Sequence, residues 1–113
     1  MDIREAIAAL HEFHENDTLF AERIAGHFRP ESRVVALKLS DYEAERPVSE
    51  VAAARAPGTD YLLEVHIARE VIEGWRFNHG GAAPTLEEAV ECVIYYAEND
   101  AYPEQFFGDR ARQ

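Results

Sequence analysis

A chain of 113 residues, 47% hydrophobic and 29% charged, has the composition of one ordinary globular domain and not of a disordered segment. Its formal net charge of −11 works against direct contact with nucleic-acid phosphates or anionic lipid, which select clustered Lys and Arg. No apolar run approaches the ~18 residues of a membrane span, and the acidic start Met1-Asp2-Ile3-Arg4-Glu5 is unlike a secretion signal, so the expected location is cytoplasmic.

Cys92 is the only cysteine, which excludes an internal disulfide, a Cys-x-x-Cys redox pair and a multi-cysteine zinc site. Ten of the eleven cations are Arg and only Lys38 is Lys, a composition that suggests a GC-rich bacterial or phage genome.

In chain order, residues 2–15 predict a helix. Asp2 and Glu5 form a capping box, and Ile3, Ala6, Ile7 and Leu10 fall on one face. Asn16-Asp17-Thr18 breaks that pattern and leads to a second predicted helix at about 19–28, with Phe20, Ile24, His27 and Phe28 inward and Pro30 as its stop. From Arg33 to Tyr42 the period changes to two, with Val35, Leu37 and Leu39 alternating against Val34, Ala36 and Lys38, which predicts a strand. Residues 43–60 read as a polar connection and a short helix through Val51–Ala54, capped by Ser49 and ended by Ala56-Pro57-Gly58.

Tyr61 to Phe77 reads as a hairpin, because Tyr61, Leu63, Val65 and Ile67 share one strand face and Val71, Trp75 and Phe77 share another. A continuous helix over 60–73 competes with it, since the turn at Ala68-Arg69-Glu70 lacks Gly or Asn. After a loop at 78–84, Thr85 and Glu88 box the start of a helix whose stripe is Leu86, Ala89, Val90, Val93, Ile94 and Ala97. The expected class is α+β: a small antiparallel sheet of about three strands with helices packed on one face, in the order α-α-β-(x)-β-β-α, forming a single acidic domain over 1–113.

The chemistry-bearing clusters are sparse. His11 and His14 lie three apart, not at the His-Glu-x-x-His spacing of zinc proteases, and read as residues at the edge of the apolar stripe. His27 reads as a core-edge residue, His66 as solvent-facing and His79 as a loop residue. Gly80-Gly81 lacks the pattern of a phosphate loop. Cys92 sits between Glu88 and Glu91, whose field opposes formation of a thiolate nucleophile. The serines show no triad pattern, so the expectation is no enzyme, no cofactor and no metal.

The charge distribution stands out instead. Between Arg76 and Arg110 there is no Lys or Arg, while Glu87, Glu88, Glu91, Glu98, Asp100, Glu104 and Asp109 all fall there. On the helical wheel Tyr95 points away from the core stripe with Cys92 on the same outer side, and Tyr102, Phe106 and Phe107 follow. The predicted partner-binding surface is therefore Tyr95, Cys92, Glu91, Glu98, Tyr102, Phe106 and Phe107, with Asp41, Glu43, Glu45 and Glu50 as a second acidic surface. The competing arrangement has the C-terminal tail folded over Tyr95.

The functional expectation is an acidic, non-catalytic module that binds a basic, nucleic-acid-handling protein and inhibits it. Toxin-immunity proteins and phage inhibitors of bacterial defence resemble it in size and charge, with no shared motif. The alternatives are a housekeeping domain, possible as a homodimer, whose charge serves solubility, and thirdly a small metal- or ligand-dependent enzyme.

Overall fold

Three acceptor-x-x-Glu sequences each open a helix in the computed structural model, which describes residues 1–112, with side chains through Gly108. Asp2 Oδ1 accepts from the Glu5 backbone at 2.8 Å while Glu5 Oε1 accepts from the Asp2 backbone at 3.0 Å, and α1 runs Ile3–Ala8. A 3-10 turn, Leu10–Glu12, follows it. The predicted helix to residue 15 is thus cut short: Ala9 leaves the helical region and Arg69 takes the Leu10 and Phe13 carbonyls.

The second predicted helix is a strand. Thr18–Ala21 forms β1, the buried centre of an antiparallel sheet ordered β2-β1-β3, where β2 is Val34–Leu37 and β3 is Asp60–Glu64. Hydrogen bonding on both sides outweighs the helical spacing of Phe20, Ile24 and Phe28. Gly26, which weakens a helix, belongs here to a turn. Ala25 and Gly26 both take positive φ, and Ile24 and His27 exchange backbone hydrogen bonds at 2.7 and 3.2 Å across them.

The short helix expected through Val51–Ala54 is present as α3 (Val48–Arg55), though it starts after Pro47 and not at a Ser49 cap. Ahead of it α2 (Asp41–Ala44), opened by the Ser40–Glu43 box, replaces the end of the predicted strand and the start of the polar connection. The predicted hairpin at 61–77 is also corrected. Its first arm is β3, but Val65–Asn78 is one helix, α4. Val65, Ala68, Val71 and Trp75 lie at helical spacing and are all buried, so the β-branched residues that argue for a strand serve a helix stripe instead. Leu86–Asn99, with its Thr85–Glu88 box, is α5, and 3-10 turns over Glu104–Arg112, kinked at Gly108 where φ is 58°, close the described chain.

The class is α+β, with a three-stranded antiparallel sheet and helices against it; the observed order is α-β-β-α-α-β-α-α. Leu19, Ala21, Val34 and Leu63 share the main core with residues of α1, α4 and α5. A register shift between Leu19 and Phe20 leaves one extra residue in β3, so adjacent Leu62 and Leu63 both join that core. On the other face, Phe20, Val35 and Tyr61 pack with Val51, Ala52 and Ala56 of α3 and its end. Among the described residues no helix is long and apolar enough to cross a membrane.

Candidate interaction site

The last long helix places its side chains by a simple rule. Val90 and Val93 are 1% and 0% exposed, so positions about half a turn round the helix from them face out. Glu87, Glu91, Ile94, Tyr95 and Glu98 follow each other along that side. Facing them is the segment His27-Phe28-Arg29-Pro30 that leaves the Ala25-Gly26 turn. Together these residues line a groove of about 550 Å³. Phe28 is buried, Ile94 half-buried, and Tyr95 is 41% exposed.

The acids of the groove are not equivalent. Glu87 is held by the Arg4 guanidinium through two hydrogen bonds, Nε to Oε1 at 3.0 Å and Nη2 to Oε2 at 3.1 Å. Glu98 Oε2 lies 3.0 Å from His27 Nδ1 and 3.6 Å from Arg23 Nη1, while the Arg23 guanidinium also stacks 4.2 Å from the Phe28 ring centre. The 77–109 stretch therefore borrows cations from α1 and the β1 turn. Glu91 differs: its carboxylate has no ion pair or side-chain hydrogen bond among the described residues. Arg29, on the opposite wall, likewise has no ion pair among them; its backbone N–H donates to Ser32 Oγ at 2.8 Å.

The seven predicted contact residues separate into two places and the interior. Tyr95, Glu91 and Glu98 meet at the groove. Cys92 does not project outward: it is 1% exposed in the main core, because α5 packs against both α1 and α4 and buries a wider arc than one stripe. Burial first, then the fields of Glu91 and Glu88, pushes its thiol up to about 11 from an ordinary 9.0, which opposes any nucleophilic role.

The aromatic tail lies against α4, away from Tyr95. Phe106 is buried, stacked on Tyr102 at 3.9 Å and seated over Gly74; Tyr102 meets Tyr96 at 5.1 Å, and Phe107 remains 40% exposed. Through Gly108 the tail thus covers the Tyr96 side of α5, and none of its described residues lines the groove at Tyr95.

The second acidic surface is largely committed to local structure. Glu43 completes the α2 capping box and pairs with Arg55 at 2.8 Å, and its carboxyl is held below the usual range chiefly by the Ser40 backbone N–H. Glu50 pairs with Arg46. Asp41 and Glu45 stay exposed. The histidines also shift: His27 is exposed instead of at the core edge, and His11 and His14 are exposed beyond the shortened α1. His66 is exposed in the first turn of α4. His79 is stacked on Trp75 at 3.4 Å with its Nδ1 toward the Trp75 carbonyl. Among the described residues no three His, Cys, Asp or Glu side chains converge as a metal-ligand set.

What the sequence reading lacked was the groove's second wall. The two-residue turn at Ala25-Gly26 brings His27–Pro30 across from α5, and a helix placed over 19–28 conceals it. Comparison with protein-family models, curated proteins and solved structures finds no match to this chain.

Proposed function

We infer that this protein is a non-catalytic acidic binding module that docks on a basic protein through the Tyr95 groove and masks the surface with which that partner holds nucleic acid. The observation that carries this reading is the coincidence of a half-exposed tyrosine, an apolar floor and a carboxylate, Glu91, that is unpaired among the described residues, in one groove on a chain of net charge −11. Tyrosine provides rigid apolar area with a polar tip, a combination enriched at the centres of interfaces.

Most of the described arginines are already engaged within the chain. Arg4, Arg23, Arg33, Arg46, Arg55 and Arg76 are each in an ion pair, and Arg69 is spent on two backbone carbonyls. These exposed pairs add little stability. What they do is leave the surplus acids as the charge a partner meets. A polyanionic surface of this kind competes with phosphates for the same Lys and Arg side chains, which is how binding becomes inhibition.

The test uses the full chain as bait in extracts of its source cells, beside a Glu91→Lys/Tyr95→Ala variant whose melting curve matches the parent. The expected result is a basic, nucleic-acid-binding protein that the parent retains and the variant releases, and whose nucleic-acid binding is lost when the parent chain is added. Equal retention by both baits, or a partner that binds nucleic acid undisturbed, contradicts the reading.

A further inference from the structure

Along the groove three acids, the last two beside an aromatic ring, form three stations, and two are already occupied by the protein's own guanidinium groups. Arg4 fills the first with its double contact to Glu87. Arg23 fills the second, with its Cζ 4.2 Å from the Phe28 ring centre and its Nη1 at 3.6 Å from Glu98. At the third, Tyr95 stands one helical turn after Glu91, so ring and carboxylate lie on the same side of α5, and Glu91 has no cation among the described residues.

We propose that this third station receives the guanidinium of an arginine side chain from the partner, with Glu91 as its acceptor, the Tyr95 ring as its platform and Ile94 against its methylene stem. The proposal rests on the docking reading above and narrows it to a residue type.

Arginine fits better than lysine for three reasons. Its planar fork matches a carboxylate, as Arg4 does on Glu87. It stacks on a ring, as Arg23 does on Phe28. It is also less strongly hydrated, so entering a half-buried groove costs it less. The opposite wall sets a limit on the neighbouring sequence. Arg29 is exposed there, and it repels a densely basic segment, so the arginine comes flanked by apolar residues that reach the Phe28, Pro30 and Ile94 floor.

The probe is a nine-residue peptide of alanine and leucine with one central arginine, titrated into the full-length protein and followed by backbone amide NMR. Its two controls carry citrulline or lysine at the centre; citrulline keeps the shape of arginine and removes the charge. The expected result is shifts confined to Glu91, Ile94, Tyr95 and His27–Arg29, with affinity falling about tenfold for citrulline and severalfold for lysine. Glu91→Gln, an exposed change that leaves the melting temperature intact, should shrink the arginine-over-citrulline preference to about twofold, and Tyr95→Ala should weaken the arginine peptide.

Equal binding of arginine and citrulline overturns the proposal. So do shifts centred on Asp41 and Glu45 with a silent groove, though these leave an acidic docking module standing on another face. Binding seen only after Arg29→Ala places Arg29 itself in the station and also overturns it. Failure of the wider docking reading registers separately, as equal retention of the natural partner by the Glu91→Lys/Tyr95→Ala bait.

Discussion

Gly74, in the interior of α4, shows how a single residue positions the tail. A methyl group there would lie 2.6 Å from Phe106 Cζ, closer than carbon atoms can approach. In an exposed helix Gly→Ala stabilises by about 1 kcal/mol; here the overlap should reverse the sign, at a cost of roughly 1–3 kcal/mol. Gly74→Ala is therefore expected to lower the denaturation midpoint, and adding Phe106→Ala should remove most of the penalty that the alanine itself imposes. If Gly74→Ala raises the midpoint, Phe106 does not occupy that seat.

Cys92 supplies a pH signature. Its thiol is pushed up to about 11 in the fold from an ordinary 9.0, so the unfolded chain loses its proton first as pH rises. The corresponding stability is fully present below pH 9.0 and disappears toward about 11, amounting to roughly 3 kcal/mol. Cys92→Ala should flatten the stability profile across that window, whatever it does to the absolute value. A profile of unchanged slope in the variant would place the thiol in water.

At the scale of elements, α5 and α4 begin in opposite ways. The former is opened by side chains: Thr85 Oγ1 accepts from Glu88 N at 3.2 Å, and Glu88 returns to Thr85 N at 2.9 Å. Thr85 is exposed, so Thr85→Ala removes the cap without removing packing and should cost about 1 kcal/mol in a denaturant titration.

No such cap precedes α4, where Glu64 makes no side-chain cap hydrogen bond. Its first donors are met from a distance: Val65 N donates to the Asp17 carbonyl at 2.9 Å and His66 N to that of Glu15 at 3.1 Å. A start signal built from residues some fifty positions upstream cannot be read locally, which is why Tyr61–Phe77 reads as a hairpin. The strand β1 is hidden for a related reason. Flanked on both sides, it buries all four residues and shows no alternation. By contrast, the Ser40-x-x-Glu43 box of α2 is a purely local signal, masked by the two-residue period that runs from Arg33 to Tyr42. The outward face of α5 followed from its own periodicity at Tyr95, Glu91 and Glu98. Cys92 failed because two neighbouring helices, not one, cover α5.

For the whole molecule the deciding quantity is the excess of acids over cations. Among the described residues Arg4, Arg23, Arg33, Arg46, Arg55 and Arg76 lie in exposed ion pairs with acids; pairing leaves the net charge untouched, and with 22 acids against 11 cations it is −11. Such a charge repels a second copy and draws in a cationic partner from beyond contact distance, within the Debye length of the solution. The field therefore governs arrival, and the Tyr95 groove governs residence.

The most direct test is the association rate with the captured partner, measured from about 50 to 500 mM salt, a range over which the Debye length falls severalfold. The parent rate is expected to drop by about tenfold or more, with Glu91→Lys slower at low salt and converging on the parent at high salt. Tyr95→Ala should leave that rate nearly unchanged and speed dissociation. An association rate indifferent to salt, or a Glu91→Lys rate equal to the parent's at every ionic strength, would contradict the account.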